Sequence, residues 1–327
     1  MPANLPPDYH SAEKRFRAAR TNAEKIEALE EMLRIMPKHK GTDRLQGDLK
    51  SRIAKLRREP AKKGAKKGFG FAVHREGAGQ IALVGPPNTG KSSLVRMLTK
   101  ARPDVADYPF TTREPVPGMM PFEDIAFQLV DLPAVSEEHV EPWVFDIIRQ
   151  TDMVWLVVDA SDALGQVGNV QSLLEERRIG LFPAGADPPK DERLDYKHKK
   201  TVLVVTGMDR PGAGENVEIL DAILEKRWPL LPVSCVTGHG IEELKRRTFS
   251  DMEIMRVYTK QPGKPPDMGQ PFTLQRGASV ADLAERIHKE IREKLRFARI
   301  WGKGAFDGQT VQRDHVLSEG DVVEIHA

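Results

Sequence analysis

A glycine-rich stretch, GPPNTGKS at residues 85–92, combines residue types that bind phosphate groups. Its glycines let backbone N–H groups approach phosphate oxygens, Lys91 supplies a charge for the outer two phosphates, and the Ser92 hydroxyl is a ligand for Mg²⁺. The spacing therefore predicts a nucleoside triphosphate site. Contacts are predicted from the loop and the serine after it: Gly85, Pro86, Pro87, Asn88, Thr89, Gly90, Lys91, Ser92 and Ser93.

Such a loop needs a strand before it and a helix after it, because the helix N-terminus directs free N–H groups at the phosphates. The apolar run QIALV precedes the loop, and SLVRMLTKA continues with helix-forming sequence. Three more apolar runs, MVWLVVDAS, TVLVVTGMD and LPVSCVTGHG, are each followed by polar or helical sequence. This alternation predicts an α/β fold, a doubly wound, mostly parallel sheet over residues 79–251, with its ligand at the carboxyl ends of the strands.

Two later segments supply candidate ligands for Mg²⁺ and the terminal phosphate. The irregular YPFTTREP, residues 108–115, is suited to a loop that closes on the metal; an ordinary Ser/Thr-rich turn is the alternative. FEDIAFQLVDLPAV indicates a hairpin that ends at Asp131, which would hold Mg²⁺ through water. The predicted metal ligands are Ser92, Thr112 and Asp131, and the predicted nucleotide contacts in these segments are Phe110, Thr111, Thr112, Asp131 and Ala134.

The two ends of the chain predict smaller domains. Apolar residues recur at helical spacing twice near the front, which predicts a basic helical hairpin over residues 1–60, before a Lys/Gly linker over residues 61–78. At the other end, RVYT, FTLQ and DVVEI have strand composition, and Ser279 is placed to cap a helix. Residues 252–327 are therefore predicted to form a small α/β domain, whose core contains one helical stripe of Val280, Leu283, Ile287 and Ile291.

Composition narrows the class of protein. The 327 residues are 39% hydrophobic and 30% charged, without an apolar run near the roughly 18 residues of a membrane span or the layout of a secretory signal. The one cysteine, Cys235, fits a reducing compartment and is predicted to be a packing residue. We therefore predict a cytoplasmic protein with no membrane partner.

Charge is distributed unevenly along the chain. Residues 1–70 hold 18 Lys and Arg against 9 Asp and Glu, a net of +9, whereas the remainder carries −7. A basic front segment is suited to the phosphates of RNA, because many cations then displace counterions together. A solvated basic face is the alternative, and no recognition of DNA sequence is indicated.

Several motifs together resemble one family. GPPNTGKSS, ADYPFTTREPVPG, LVDLP and VSCVTGHGIEELK are similar to the motif series of the Obg group of translation-factor GTPases. The flanking MPKHKGTDRLQGDLKSRIAKLRRE and MEIMRVYTKQPGKPPDMGQPFTLQRGASVADLAERIHKEI narrow the resemblance to the DRG (developmentally regulated GTP-binding) branch, over nearly the whole chain. The tail resembles a TGS domain, a β-grasp module. The resemblance implies a P-loop GTPase fold and a ribosomal or RNA partner.

The resemblance also implies how the base is read. Family members carry Asn-Lys-x-Asp, where the aspartate accepts hydrogen bonds from guanine N1 and N2; this chain has Thr206, Gly207, Met208 and Asp209. The discriminating aspartate is retained, which favours GTP and GDP with weakened affinity. A strand-ending turn that no longer reads a base is the alternative. The predicted base contacts are Thr206, Asp209 and a loop of Ser234, Cys235 and Val236.

The residues after Asp131 depart from the family pattern. Ala134 replaces a glycine, and Val135 stands where Ras-like enzymes place a water-orienting glutamine, so hydrolysis is expected to be slow. Asn88 matches an asparagine that coordinates K⁺ in related GTPases; a plain turn residue is the alternative. Glu137 or Glu138 is a candidate for positioning water. A solvated surface without a catalytic role is the alternative. The predicted catalytic residues are Lys91, Thr112 and Asn88.

The predicted function is a GTP-binding switch with slow Mg²⁺-dependent, K⁺-stimulated GTP hydrolysis that acts on the ribosome or structured RNA. The alternative is an RNA-binding adaptor that binds nucleotide without hydrolysing it. DRG proteins carry an inserted domain between the positions of Asp159 and Thr201. Here about forty residues predict one helix and a loop, so partners attributed to that insert are not carried over.

Overall fold

The computed structural model describes residues 9, 12, 15, 16, 22–36, 46, 47, 49–53, 71, 73–99, 114–137, 140–190, 195–302 and 305–327. The chain divides into two compact units, Met1–Gly70 and Phe71–Ala327. Among the described residues, no helix is both long and apolar enough to cross a membrane.

The first unit contains helix α1 (Asn22–Ile35) and further helical residues at 46, 47 and 49–53. One apolar cluster contains Leu29 and Met32 of α1 together with Leu49 and Ile53. Lys50 and Arg52 lie between Leu49 and Ile53, and both basic side chains are exposed. The rest of the basic run, residues 54–67, and the chain between the two helical stretches lie outside the described residues, so the hairpin and linker stay predictions.

Seven strands of the second unit form one sheet: β1 (Gln80–Val84), β2 (Val116–Phe122), β3 (Ile125–Asp131), β4 (Met153–Asp159), β5 (Ile179–Pro183), β6 (Lys197–Thr206) and β7 (Leu230–Pro232). Their order is β2-β3-β1-β4-β6-β5, and β7 pairs with the carboxyl half of β6. Every pair is parallel except β2 with β3. The carboxyl ends of β1, β3, β4 and β6 therefore meet at one edge of the sheet.

Helices cover both faces of this sheet: α2 (Lys91–Leu98), α3 (Pro142–Gln150), α4 (Ala163–Glu176), α5 (Ala213–Ile223) and α6 (Ile241–Asp251). One apolar core joins α3, α4 and α5 to the sheet, with Ile148, Val167 and Leu220 among its buried residues. The other core joins α2 and α6 to the opposite face, through Leu94 and Leu244. This doubly wound arrangement confirms the predicted fold class.

A fifth strand corrects the prediction for the segment between Asp159 and Thr201. The sequence predicts a helix and a loop there; the structure has α4, then β5, and β6 begins at Lys197. The first four residues of β6, KHKK, are polar and do not look like a strand in the sequence. They adopt strand conformation because their backbone pairs with β5. Lys199 in this run is buried. Its ammonium group donates to backbone carbonyls at the end of α3, which compensate for the loss of water around the charge.

The C-terminal part has its own five-stranded sheet: β8 (Ile254–Thr259), β9 (Asp267–Gln275), β10 (Phe297–Gly302), β11 (Ala305–Val311) and β12 (Asp321–His326), in the order β11-β10-β12-β8-β9. Helices α7 (Val280–Ile287) and α8 (Lys289–Lys294) follow β9. Ser279 caps α7 in a reciprocal pair with Asp282. The predicted stripe holds in part, because the helix breaks at His288 and Ile291 lies on α8. Strands β10 and β11 are absent from the sequence prediction.

An ionic cluster joins the C-terminal sheet to the β2–β3 turn. The Arg256 guanidinium pairs with Glu123 and Asp124 of that turn and with Glu319, while the Tyr258 hydroxyl donates to Asp124. Burial alone would raise the pKa of Asp124, but the hydrogen bonds from Tyr258 and Arg256 outweigh burial and lower it. The strands between residue 116 and Asp131 are therefore tied at their far end to β8.

Candidate functional site

The phosphate loop lies between β1 and α2, as the motif requires. Gly90 has φ 81°, and α2 begins at Lys91 without a side-chain cap, so its first N–H groups are directed out of the helix. Position 85 admits only glycine, because a Cβ there would lie 2.1 Å from the Val157 carbonyl oxygen. This backbone forms the cradle that an anion needs at a helix N-terminus.

The Lys91 ammonium is folded into the phosphate loop. Its side chain donates to the carbonyls of Gly85 at 3.0 Å and Pro86 at 2.6 Å. Burial lowers the pKa of Lys91 to about 8, although the nearby Asp131 charge opposes that shift. A buried cation of this kind has a strong interaction with a phosphate that replaces its carbonyl partners.

Ser92 and Asp131 meet where a metal bound to the phosphates would lie. The Ser92 hydroxyl donates to Asp131 Oδ2 at 2.6 Å. Asp131 is fully buried, and its Oδ1 has no hydrogen-bond partner among the described residues. Burial raises the pKa of Asp131, against the opposing effects of Ser92 and Lys91. A hydroxyl beside an unsatisfied buried carboxylate oxygen fits Mg²⁺, which accepts oxygen ligands.

The remaining residues predicted around the terminal phosphate are only partly described. Phe110, Thr111, Thr112 and Glu138 lie outside the described residues, and Glu137 is exposed. Val135 is 1% exposed within the core against α3, and its amide donates to the Gly85 carbonyl at 3.0 Å. Its side chain therefore packs inward instead of facing the phosphate loop, with half-buried Ala134 just before it.

Asn88 lies at the exposed tip of the phosphate loop. Its φ is 61°, the left-handed region that asparagine tolerates better than most residues. This conformation supports the turn interpretation, and it leaves the exposed amide available to an ion. Both alternatives from the sequence stay open.

Thr206 links the phosphate loop to two segments predicted to read the base, residues 206–210 and 234–237, which we call the base-reading loops. It is buried at the carboxyl end of β6, and its hydroxyl lies 2.9 Å from the Thr89 carbonyl and 3.1 Å from that of Val158. It therefore joins the loop after β1 to β4. Thr206 holds the two parts of the site together from the position where the family has asparagine.

Asp209 is exposed and oriented by a buried serine. The Ser234 hydroxyl donates to Asp209 Oδ1 at 2.7 Å and accepts from the amides of Val236 at 3.1 Å and Thr237 at 3.2 Å. The hydrogen bond from Ser234 lowers the pKa of Asp209, so the carboxylate stays ionised. One oxygen is thereby held, and the exposed carboxylate is available for the edge of a base. Cys235 is half-buried against the core, as its predicted packing role requires.

The sequence analysis missed two residues, one in these loops and one packed against them. Arg210 Nη1 donates to both carboxylate oxygens of Asp159, at 3.0 and 2.8 Å, next to Gly207. Asp159 also accepts from the amide and hydroxyl of Ser161, and these bonds together with Arg210 lower its pKa despite burial. The available signal was the aspartate at the carboxyl end of a central strand, where ligands bind in such sheets.

Two family profiles match separate parts of the chain. Residues 80–182 match the profile described as "50S ribosome-binding GTPase", and residues 255–327 match the TGS domain. The first match contains the phosphate loop and Asp131, and the second covers the five-stranded sheet.

The chain is also similar to full-length proteins. It is 29% identical over 362 residues to GTP-binding protein 1 of Schizosaccharomyces pombe, covering 92% of this chain and 98% of that protein. Developmentally-regulated G-protein 1 of Arabidopsis thaliana is 28% identical over 368 residues, covering 92% and 90%. Among solved structures, the G domain of the T. maritima FeoB iron transporter is 27% identical, covering 53% of this chain and 97% of that one, with a TM-score of 0.38.

Proposed function

Because this chain belongs to the DRG-like branch of the Obg-group GTPases and ends in a TGS domain, we propose that it is a slow, Mg²⁺-dependent GTP hydrolase that acts as a switch on the ribosome or structured RNA. The resemblance predicted from the motifs is confirmed, and with it a GTP-binding protein of a GTPase family. The rate, the ions, the residue roles, the RNA partner and a cytoplasmic location are the proposal.

The observation that carries the proposal is the Ser92–Asp131 hydrogen bond beside the buried ammonium of Lys91 at the N-terminus of α2. Mg²⁺ would be held by Ser92, by Asp131 through water and by Thr112, and it would neutralise charge on the transferring phosphate. Lys91 and the amides of the phosphate loop would bind the outer phosphates. A titration of GTP hydrolysis with Mg²⁺ tests this assignment, because Asp131→Asn should raise the Mg²⁺ concentration needed while leaving the preference for guanine unchanged.

Slow hydrolysis follows from the residues after β3. Val135 has no group that orients water, and its burial in the core keeps it away from the phosphates. Single-turnover measurements with saturating GTP test this directly, because they report the cleavage step without product release. A native rate as fast as that of GTPases with a glutamine would contradict the proposal.

Asn88 is the proposed ligand for a K⁺ ion that supplies positive charge beside the phosphates. The decisive comparison is kcat in KCl against NaCl at equal ionic strength, for the native protein and Asn88→Ala. Native hydrolysis should be about 10²-fold faster in KCl, by analogy with the loss of one preorganised charge. Equal rates for both proteins in both salts would leave Asn88 as a turn residue.

A ribosomal or RNA partner is supported by the match to the 50S ribosome-binding GTPase profile and by the basic front of the chain. Co-sedimentation with ribosomes in GTP, GDP and no nucleotide should show binding that depends on the nucleotide. Neutralising lysines within residues 50–67 should make the slope of log affinity against log salt shallower by roughly 0.7 to 0.9 for each RNA phosphate that is no longer neutralised. Unchanged binding after deletion of residues 1–67 would make the basic segment a solvated face.

The second candidate is an adaptor that binds nucleotide and RNA without hydrolysis. The inward-packed Val135 beside Ala134 favours it. GTP that stays intact in the complex through a single-turnover experiment with ribosomes present would select the adaptor. Release of phosphate under those conditions would exclude it.

A further inference from the structure

The turn after β6 places a planar cation, Arg210, within the base-reading loops. Gly207 has no side chain, and a Cβ there would lie 3.6 Å from Cζ and Nη1 of Arg210. The Arg210 amide donates to the Gly207 carbonyl at 3.0 Å, which closes the turn. The guanidinium therefore occupies the space beside residue 207 and directly follows Asp209 in the chain.

Arg210 is anchored by a carboxylate that is itself fixed. Its Nη1 lies 3.0 and 2.8 Å from the two oxygens of Asp159. Asp159 is 9% exposed and accepts two hydrogen bonds from Ser161, at 3.0 and 2.6 Å. The Arg210 side chain is 58% exposed, so the cation is tethered at one nitrogen while much of its surface stays open.

We propose that Arg210 lies against the face of the guanine ring and strengthens nucleotide binding, while Asp209 chooses the base. The proposal rests on the proposed function, because it requires a guanine nucleotide at Asp209. A purine whose edge meets Asp209 presents its ring face to neighbouring groups, and a guanidinium stacks on aromatic faces. Gly207 leaves that approach clear, and its φ of 80° suits glycine better than a residue with a side chain.

Stacking and edge recognition predict different responses to the base. Every purine has a ring face, so a stacked Arg210 contributes about equally for GDP, IDP and ADP. The carboxylate of Asp209 pairs with the guanine 2-amino group, which IDP lacks. Loss of Arg210 should therefore weaken GDP and IDP by one common factor, whereas loss of Asp209 should bring their affinities together.

Calorimetric titration of GDP, IDP and ADP into full-length variants tests these responses. Arg210→Ala should weaken GDP and IDP alike, by about 3- to 30-fold. The double variant Asp159→Asn with Arg210→Ala should bind like Arg210→Ala alone, because no unpaired carboxylate remains to disturb the loop. Arg227→Ala is the matched control, since Arg227 is an exposed arginine paired with Glu225, and its affinities should equal those of the native protein.

Four results would overturn the stacking role. Native GDP affinity in a folded Arg210→Ala variant would make the pair with Asp159 purely structural. If Arg210→Ala binds GDP and IDP with equal affinity, Arg210 acts by positioning Asp209. Restored affinity in the double variant would assign the loss to the stranded Asp159 charge. Equal binding of GDP and ADP by the native protein would defeat the proposed function itself, whereas the first three results leave it standing.

Discussion

The proposed site has two ends, which we call the phosphate end, at Lys91 and Asp131, and the base end, at Asp209 and Arg210. The two ends are built differently. At the phosphate end, the charged groups themselves, Lys91 and Asp131, are both buried and influence each other electrostatically. At the base end, Asp209 and Arg210 are exposed, and their anchors, Ser234 and Asp159, are buried. On the proposed function, phosphate binding would thus depend on desolvated charge, whereas base reading would depend on exposed groups held by a buried support.

This difference predicts that the two ends tolerate different changes. A buried charge at the phosphate end interacts strongly with an opposite charge, and few other residues can replace it. Burial increases both the attraction between the charges and the free-energy cost of removing them from water. At the base end, Thr206 and the Arg210–Asp159 pair supply a support although the family asparagine and lysine are missing. The departures at Thr206 and Gly207 therefore fall where another set of contacts can substitute.

Removal of the charge from the phosphate end should have the largest effect. Lys91→Ala eliminates a buried cation that would face the transferring phosphate, so kcat for GTP should fall by at least about 10²-fold. Phosphate release under single-turnover conditions measures this loss. Lys245→Ala is the matched control, because Lys245 is a lysine of α6 paired with Glu242. If Lys91→Ala and the native protein turn over GTP at similar rates, the buried charge does not determine phosphate transfer, and the comparison between the two ends fails.

Protonation offers a second way to sharpen the comparison. Burial lowers the pKa of Lys91 to about 8, so the free protein loses this charge as the pH rises through that value. Phosphate binding requires the ammonium form, so GDP affinity should fall above pH 8 by up to about tenfold per pH unit. Calorimetry at pH 8.5 in buffers of different ionisation enthalpy should show proton uptake on GDP binding. No uptake at that pH would contradict a buried lysine at the phosphates.

The link between the two ends is tested by Thr206→Val, which removes the hydroxyl and keeps the shape. The one hydroxyl hydrogen that lies between the carbonyls of Thr89 and Val158 is lost, so the protein should lose about 1 to 3 kcal/mol of stability and bind GDP more weakly. Thr201→Val is the control, because the hydroxyl of this buried threonine on β6 donates to the Lys199 carbonyl and not to the phosphate loop. Both variants should lower Tm, and only Thr206→Val should weaken GDP. Equal GDP affinities would mean that Thr206 is structural.

The smallest effect is expected away from the site, at Arg256. Arg256→Ala breaks partly buried pairs with Glu123, Asp124 and Glu319 and should cost roughly 1–2 kcal/mol in urea unfolding, with little change in GDP affinity. The pKa of Asp124 is lowered in the folded protein, so this stability is present above its unfolded pKa and is lost as the pH falls. Arg246→Ala, an exposed pair with Glu243, should cost less. The reverse order would show that the cluster does not hold β8.

Local patterns allowed prediction of the phosphate end, since the strand, loop and helix that position Lys91 are adjacent in sequence. The support of the base end escaped prediction because it is assembled across the sheet. Asp159 and Arg210 are 51 residues apart, and they meet because β4 and β6 are parallel with Asp159 opposite Thr206. The missed strands have a similar cause: the polar start of β6 and the mixed sequence of β10 acquire their conformation from neighbouring strands.

The central claim is that Asp209, oriented by Ser234, still reads guanine although the asparagine and lysine of the family motif are missing. Competition of GDP, ADP and xanthosine diphosphate for the native protein and Asp209→Asn tests it most directly. The native protein should prefer GDP over ADP by at least about 10²-fold, because a site built for donors rejects a base that lacks them. Asp209→Asn should shift the preference toward xanthosine diphosphate. Equal binding of GDP and ADP by the native protein would contradict the account.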